Sequence, residues 1–191
     1  MITIKDIDKK FGRLQVLKQV NLNLKQSQCV ALIGPNGCGK TTLIKSILGM
    51  VLPEGGEILF EGKSIKSDID YRRHIGYMPQ IGRYPENMSI GQVIDMIRQI
   101  RGKDSDYDND LFEAFEINRL LDKKMRTLSG GTTQKVSAVL AFMFNPAVLI
   151  LDEPTAGLDP LAAEILKQKI IQEREKGKLI LITSHLLSEL E

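Results

Sequence analysis

The sequence predicts an α/β fold with a mainly parallel sheet, and two observations carry that prediction. Continuous apolar runs occur at CVALI (29–33), AVLIL (147–151) and LILIT (179–183), the pattern of strands covered on both faces. Helical segments separate them, Lys40–Leu48 after the first run and Pro160–Lys176 before the third. Strand and helix in alternation favour parallel pairing, because a parallel connection needs a crossover.

Taken in order, the chain opens with alternation. Ile2 and Ile4, then Val20, Leu22 and Leu24, predict an N-terminal region of half-buried antiparallel strands. Between Ser89 and Asn145 helical periodicities dominate, as in IGQVIDMIRQI and DLFEAFEI, which predicts a helical insertion in the α/β core. Within it, Gly102–Asp110 is a polar connector whose acids lack the glycine and glutamate pattern of an EF-hand, so it reads as a solvated loop. The helix from Pro160 has Asp159 as its N-cap, proline at its first position and Gly177 just past its end. The chain shows no fixed-period repeat.

Composition bounds the rest. With 191 residues and 42% hydrophobic content, the chain supports one substantial core and is read as a single domain, 1–191. Lys plus Arg at 26 against Asp plus Glu at 24 leaves a net charge of +2, so no global field attracts nucleic acid or an anionic membrane. Cys29 and Cys38 read as reduced thiols of a cytosolic protein, because the second lies inside a glycine-rich loop. The N-terminus MITIKDIDKKFG lacks a signal-peptide apolar stretch, and the richest apolar run, Ala138–Phe144, is too short to span a bilayer. A membrane role would need another subunit.

The chemistry starts at Gly34-Pro35-Asn36-Gly37-Cys38-Gly39-Lys40-Thr41, which fills every fixed position of G-x-x-x-x-G-K-[ST] between an apolar strand and an apolar-periodic helix. Glycines let backbone N–H groups curl around phosphate oxygens, and the helix N-terminus adds positive potential. Lys40 is expected to neutralise phosphate charge and Thr41 to ligate Mg²⁺, with Thr42 beside them. Gly39 is given a backbone role alone.

Further along, AVLILDEPTAGLD (147–159) follows LSGGTTQKV (128–136), and here the chain resembles the ABC ATPase family over nearly its whole length. The resemblance implies a P-loop NTPase core with a helical subdomain, about 85–145, inserted between the Q-loop and the signature. It implies that Asp152 holds Mg²⁺ with Thr41 and Gln80, and that Glu153 is the general base for the attacking water. It places Phe11 against adenine, Gln80 at the metal and water, and His185 at the γ-phosphate. A core role for Phe11 is the alternative. Ser129, Gly130 and Gly131 form the signature, with Thr132 where glutamine is common, and Asp159 belongs to the D-loop.

Function follows by the same resemblance. ATP and Mg²⁺ are the implied ligands, and ATP is expected to join a homodimer or paired cassette head to tail. Transmembrane permease subunits are the implied partners, no nucleic acid is expected, and the chain is placed on the cytoplasmic face of the membrane. Alternatives are a soluble ABC ATPase of DNA repair or translation, or a non-hydrolysing regulatory cassette. MPQIGRYPENMSIGQVI and VLAFMFNP resemble cassettes of copper handling and nitrous-oxide-reductase maturation. The end at Glu191 reads as a trimmed C-terminus, since family members usually continue.

Overall fold

The computed structural model describes residues 1–102 and 107–184. Along the chain run β1 (Ile2–Phe11), β2 (Leu14–Leu24), β3 (Cys29–Ile33), α1 (Lys40–Ile47), β4 (Gly55–Phe60), β5 (Lys63–Ser64) and β6 (Ile75–Met78). Then come α2 (Ile90–Arg101), α3 (Asp110–Ala114), α4 (Gly130–Phe142), β7 (Val148–Asp152), α5 (Pro160–Glu175) and β8 (Leu179–Ser184). Among the described residues these strands form an antiparallel sheet, β2-β1-β4-β5, and a parallel sheet, β3-β8-β7-β6.

The predicted antiparallel pair closes with Ile2 opposite Leu24, Ile4 opposite Leu22 and Ile7 opposite Val20. Its inward residues pack on α1 through Leu43, Ile44 and Ile47. The parallel sheet separates two cores. Val148 and Ile150 of β7 face the antiparallel sheet and α1, whereas Leu149 and Leu151 face the helical region and α5. β8 divides likewise, Leu179 and Leu181 against Ile180 and Ile182. These runs are continuously apolar because both faces lose water, which stabilises by roughly 1.5–3 kcal/mol per large side chain.

β3 departs from that expectation. It pairs in parallel with β8 and, among the described residues, forms the edge of the sheet, where Cys29, Ala31 and Ile33 are exposed. The helical insertion forms as α2, α3 and α4, with α2 started by a capping box between Ser89 and Gln92. α5 begins as predicted, Asp159 accepting from the Ala162 N–H at 2.8 Å.

The polar connector has a structural use that its sequence does not announce. Asp108 and Asp110 close on the Lys169 ammonium of α5 at 2.5 and 2.6 Å. Lys169 is 3% exposed and its neighbour Glu173 is 1% exposed. Glu173 in turn takes Lys176 and Lys178. Burial disfavours the charge on Glu173, but hydrogen bonds from Lys176 and Lys178 hold its carboxyl down to about 2. Burial likewise opposes charge on Lys169, and hydrogen bonds to Asp108 and Asp110 lift it above the ordinary lysine value.

Candidate active site

Parallel strands share one C-terminal edge, so the segments that leave them converge there. Loop 34–39 follows β3, Gln80 lies just past β6, Asp152 ends β7 with Glu153 next to it, and Thr183 and Ser184 end β8. Residues far apart in sequence thereby come within hydrogen-bond reach.

The loop depends on its glycines. Gly37 and Gly39 have φ of 83° and 103°, the left-handed region that a side chain resists. A Cβ on Gly39 would also lie 2.9 Å from the Val16 carbonyl oxygen. α1 starts without a side-chain cap, so its first N–H groups suit an anionic acceptor. Lys40 Nζ donates to the carbonyls of Gly34 at 2.6 Å and Pro35 at 3.2 Å, which keeps the ammonium at the loop.

Opposite the loop, Asp152 is 2% exposed. Thr41 Oγ1 donates to its Oδ2 at 3.2 Å, and Thr183 Oγ1 donates to its Oδ1 at 2.5 Å. Burial, and then the charge of Asp152, push the Tyr77 phenol up to about 12, so Tyr77 stays neutral. Glu153 is 8% exposed with φ of 51°, a conformation uncommon for a residue with a Cβ. Gln80 Nε2 donates to Glu153 Oε2 at 2.9 Å, and the Glu153 N–H reaches both Thr183 O, at 3.2 Å, and Thr183 Oγ1, at 3.0 Å.

A cleft of about 350 Å³ opens here, lined by Phe11, Val16, Asn36, Gly37, Gly39, Lys40, Thr41, Thr42, Gln80 and Glu153. Phe11 is 50% exposed and belongs to neither core, which removes the core alternative, and the Lys9 ammonium stands over its ring, 5.2 Å from the centroid. Turned amides, an ammonium and hard oxygen donors on Thr41 and Asp152 fit a polyphosphate with a hard divalent cation.

Ser129, Gly130 and Gly131 do not line that cleft. Ser129 instead caps α4, accepting from the Thr132 N–H at 3.2 Å, with its hydroxyl 2.9 Å from that of Thr132. Thr132 thus supports the first turn of α4 from the position where glutamine is common. A Cβ on Gly131 would lie 2.8 Å from the Gly157 carbonyl, so the signature presses against the AGLD loop. Lys135 Nζ pairs with Asp159 Oδ2 at 2.8 Å across the same contact. His185 lies outside the described residues. Thr183 was not legible as a site residue; its only signal is a hydroxyl at a strand end, two positions before His185.

A family model described as ABC transporter matches residues 17–156. The chain is 36% identical over 193 residues to the ABC transporter ATP-binding protein YtrB of Bacillus subtilis (strain 168), covering 100% of this chain and 65% of that relative. It therefore spans a little under two thirds of YtrB. It is 31% identical over 192 residues to the lantibiotic transport ATP-binding protein SrtF of Streptococcus pyogenes, covering 100% of this chain and 82% of that one. The solved ATP-binding subunit of an ABC transporter superposes with a TM-score of 0.90 at 32% identity, over 98% of this chain and 80% of its own. Neither relative is named for copper handling, so these likenesses lend the copper-type resemblance no support.

Proposed function

The chain belongs to the ABC transporter family, and from that premise we propose that it is the ATP-hydrolysing subunit of a membrane transporter. The observation that carries this reading is the meeting of Thr41 with Asp152 at 3.2 Å and of Gln80 with Glu153 at 2.9 Å beside the glycine loop.

In this reading ATP occupies the cleft, with adenine against Phe11 and the phosphates against the backbone N–H groups of 36–42. Lys40 exchanges its two loop carbonyls for phosphate oxygens, a charge-assisted and stronger partnership. Thr41, Asp152 and Gln80 would hold Mg²⁺, which supplies neutralisation of the phosphate charge. Glu153 accepts a proton from the water that attacks the γ-phosphorus, the bond to the β-phosphate oxygen breaks, and ADP and phosphate result. Gln80 keeps the Glu153 carboxylate aimed, and His185 contacts the γ-phosphate.

The signature, which does not line its own cleft, would serve a second cassette. Ser129, Gly130 and Gly131 of one copy approach the nucleotide of the other, with Asp159 at the seam, in a homodimer or paired cassette. The helical subdomain, about 85–145, and the Gln80 region pass the movement to separate permease subunits, which hold the chain on the cytoplasmic face of the membrane. No described helix is long and apolar enough to cross a membrane.

Light scattering on a Glu153→Gln variant tests the assembly. Mg²⁺ and ATP should convert it from monomer to dimer, because ATP binds but is not consumed. A variant that binds ATP and stays monomeric contradicts the paired-cassette arrangement.

A further inference from the structure

We propose that Thr183 is a positioning residue of the hydrolytic centre, its single hydroxyl orienting the Asp152 carboxylate and the Glu153 backbone together. The inference rests on the ATPase reading above and deepens it. Thr183 is fully buried and stands opposite Asp152 in the β7–β8 register. Its hydroxyl proton goes to Asp152 Oδ1 at 2.5 Å. With Oδ1 engaged, Oδ2 is turned to Thr41 Oγ1 at 3.2 Å, the oxygen pair that fits a cation. A lone pair of the same hydroxyl accepts the Glu153 N–H at 3.0 Å, next to the Thr183 carbonyl at 3.2 Å. That N–H belongs to the residue with φ of 51°, so the donor is anchored where the backbone most needs support.

A hydroxyl offers one donor and two acceptor sites, and here both kinds are spent on the two acids of the centre. Valine has the same shape and provides neither. It would leave Asp152 Oδ1 buried without its donor and free the carboxylate to rotate. A threonine serving only the strand would be replaceable by valine at a cost in stability alone. That difference separates the two roles.

Thr183→Val, Thr183→Ala and Thr183→Ser are compared with the unaltered chain and Glu153→Gln. Three readouts apply: Mg²⁺-ATP turnover, binding of a fluorescent ATP analogue without metal, and Mn²⁺ affinity of the nucleotide-bound protein by electron paramagnetic resonance. Thr183→Val should lower turnover about 10- to 100-fold and weaken Mn²⁺ binding by about tenfold, the usual range when a group orienting a ligand is lost. Metal-free analogue binding should stay within about twofold, and Thr183→Ser should keep turnover within about threefold, since it retains the hydroxyl. Thr183→Ala gives the same test if the valine variant does not fold. Unchanged turnover and Mn²⁺ affinity in the valine and alanine variants overturn the proposal. Equal losses in Thr183→Val and Thr183→Ser overturn it too, because size would then be the cause. If the unaltered chain shows no turnover, the ATPase reading fails, and the Mn²⁺ affinities alone decide the role of Thr183.

Discussion

Glu173 on α5 and Asp152 at the end of β7 are both almost wholly buried acids, at 1% and 2% exposure, yet their partners differ in kind. Glu173 is surrounded by the ammonium groups of Lys169, Lys176 and Lys178. The side-chain partners of Asp152 are the hydroxyls of Thr41 and Thr183. Lysines neutralise the first acid permanently and make it part of the scaffold that ties the polar connector to α5. Hydroxyls hold the second in place, and on the proposed function its charge serves a cation in the cleft. The difference separates a structural ion cluster from the proposed site, although both are buried carboxylates.

Neutralising each cluster should therefore have opposite consequences. Asp152→Asn should lower ATP turnover by about 100-fold or more, an effect of metal and electrostatic loss, while its unfolding midpoint stays level or rises. Parallel turnover and thermal-melt measurements check both halves. Lys169→Met should do the reverse. Leaving Glu173 and Asp108 without their shared cation should cost about 3–5 kcal/mol in urea unfolding, with ATP affinity of the folded protein unchanged. A neutral Lys169→Met would erase the contrast.

A pH series sharpens it further. The folded Glu173 carboxyl at about 2 lies below its ordinary 4.5, so the ionised form favours the folded state. That contribution is complete above about pH 4.5 and drains away as pH falls toward 2, on the order of 1–3 kcal/mol. Glu173→Gln should flatten the stability curve across that window. The smallest effect is expected far from both clusters, at Ser89, whose side chain caps α2. Ser89→Ala should cost about 1 kcal/mol in the same unfolding assay and leave turnover unchanged.

How much of this could be read from sequence follows the same physical divide. β7 and β8 were legible because burial on two faces demands apolar residues without interruption. The phosphate loop was legible because its chemistry uses backbone amides, and only glycine allows the turns at Gly37 and Gly39. β4, β5 and β6 carry no run long enough to stand out, and β3 reads as buried although, among the described residues, it is the edge of its sheet and partly exposed. Lys169 and Glu173 sit in KQKIIQERE with no sequence signal of an ion cluster, because the Lys169 partners Asp108 and Asp110 lie about 60 residues upstream. The hydrogen bond from Gln80 to Glu153 and the double role of Thr183 likewise exist only once β6, β7 and β8 stand side by side.

The proposed function requires that the cleft hydrolyse ATP with Glu153 as base and that two cassettes meet to do so. ATP turnover with Mg²⁺, measured across a protein concentration series for the unaltered chain and for Glu153→Gln, tests it most directly. Turnover should rise more steeply than linearly with protein and vanish in the variant. Turnover strictly proportional to protein would contradict the need for two cassettes, and turnover undiminished in Glu153→Gln would contradict Glu153 as the base.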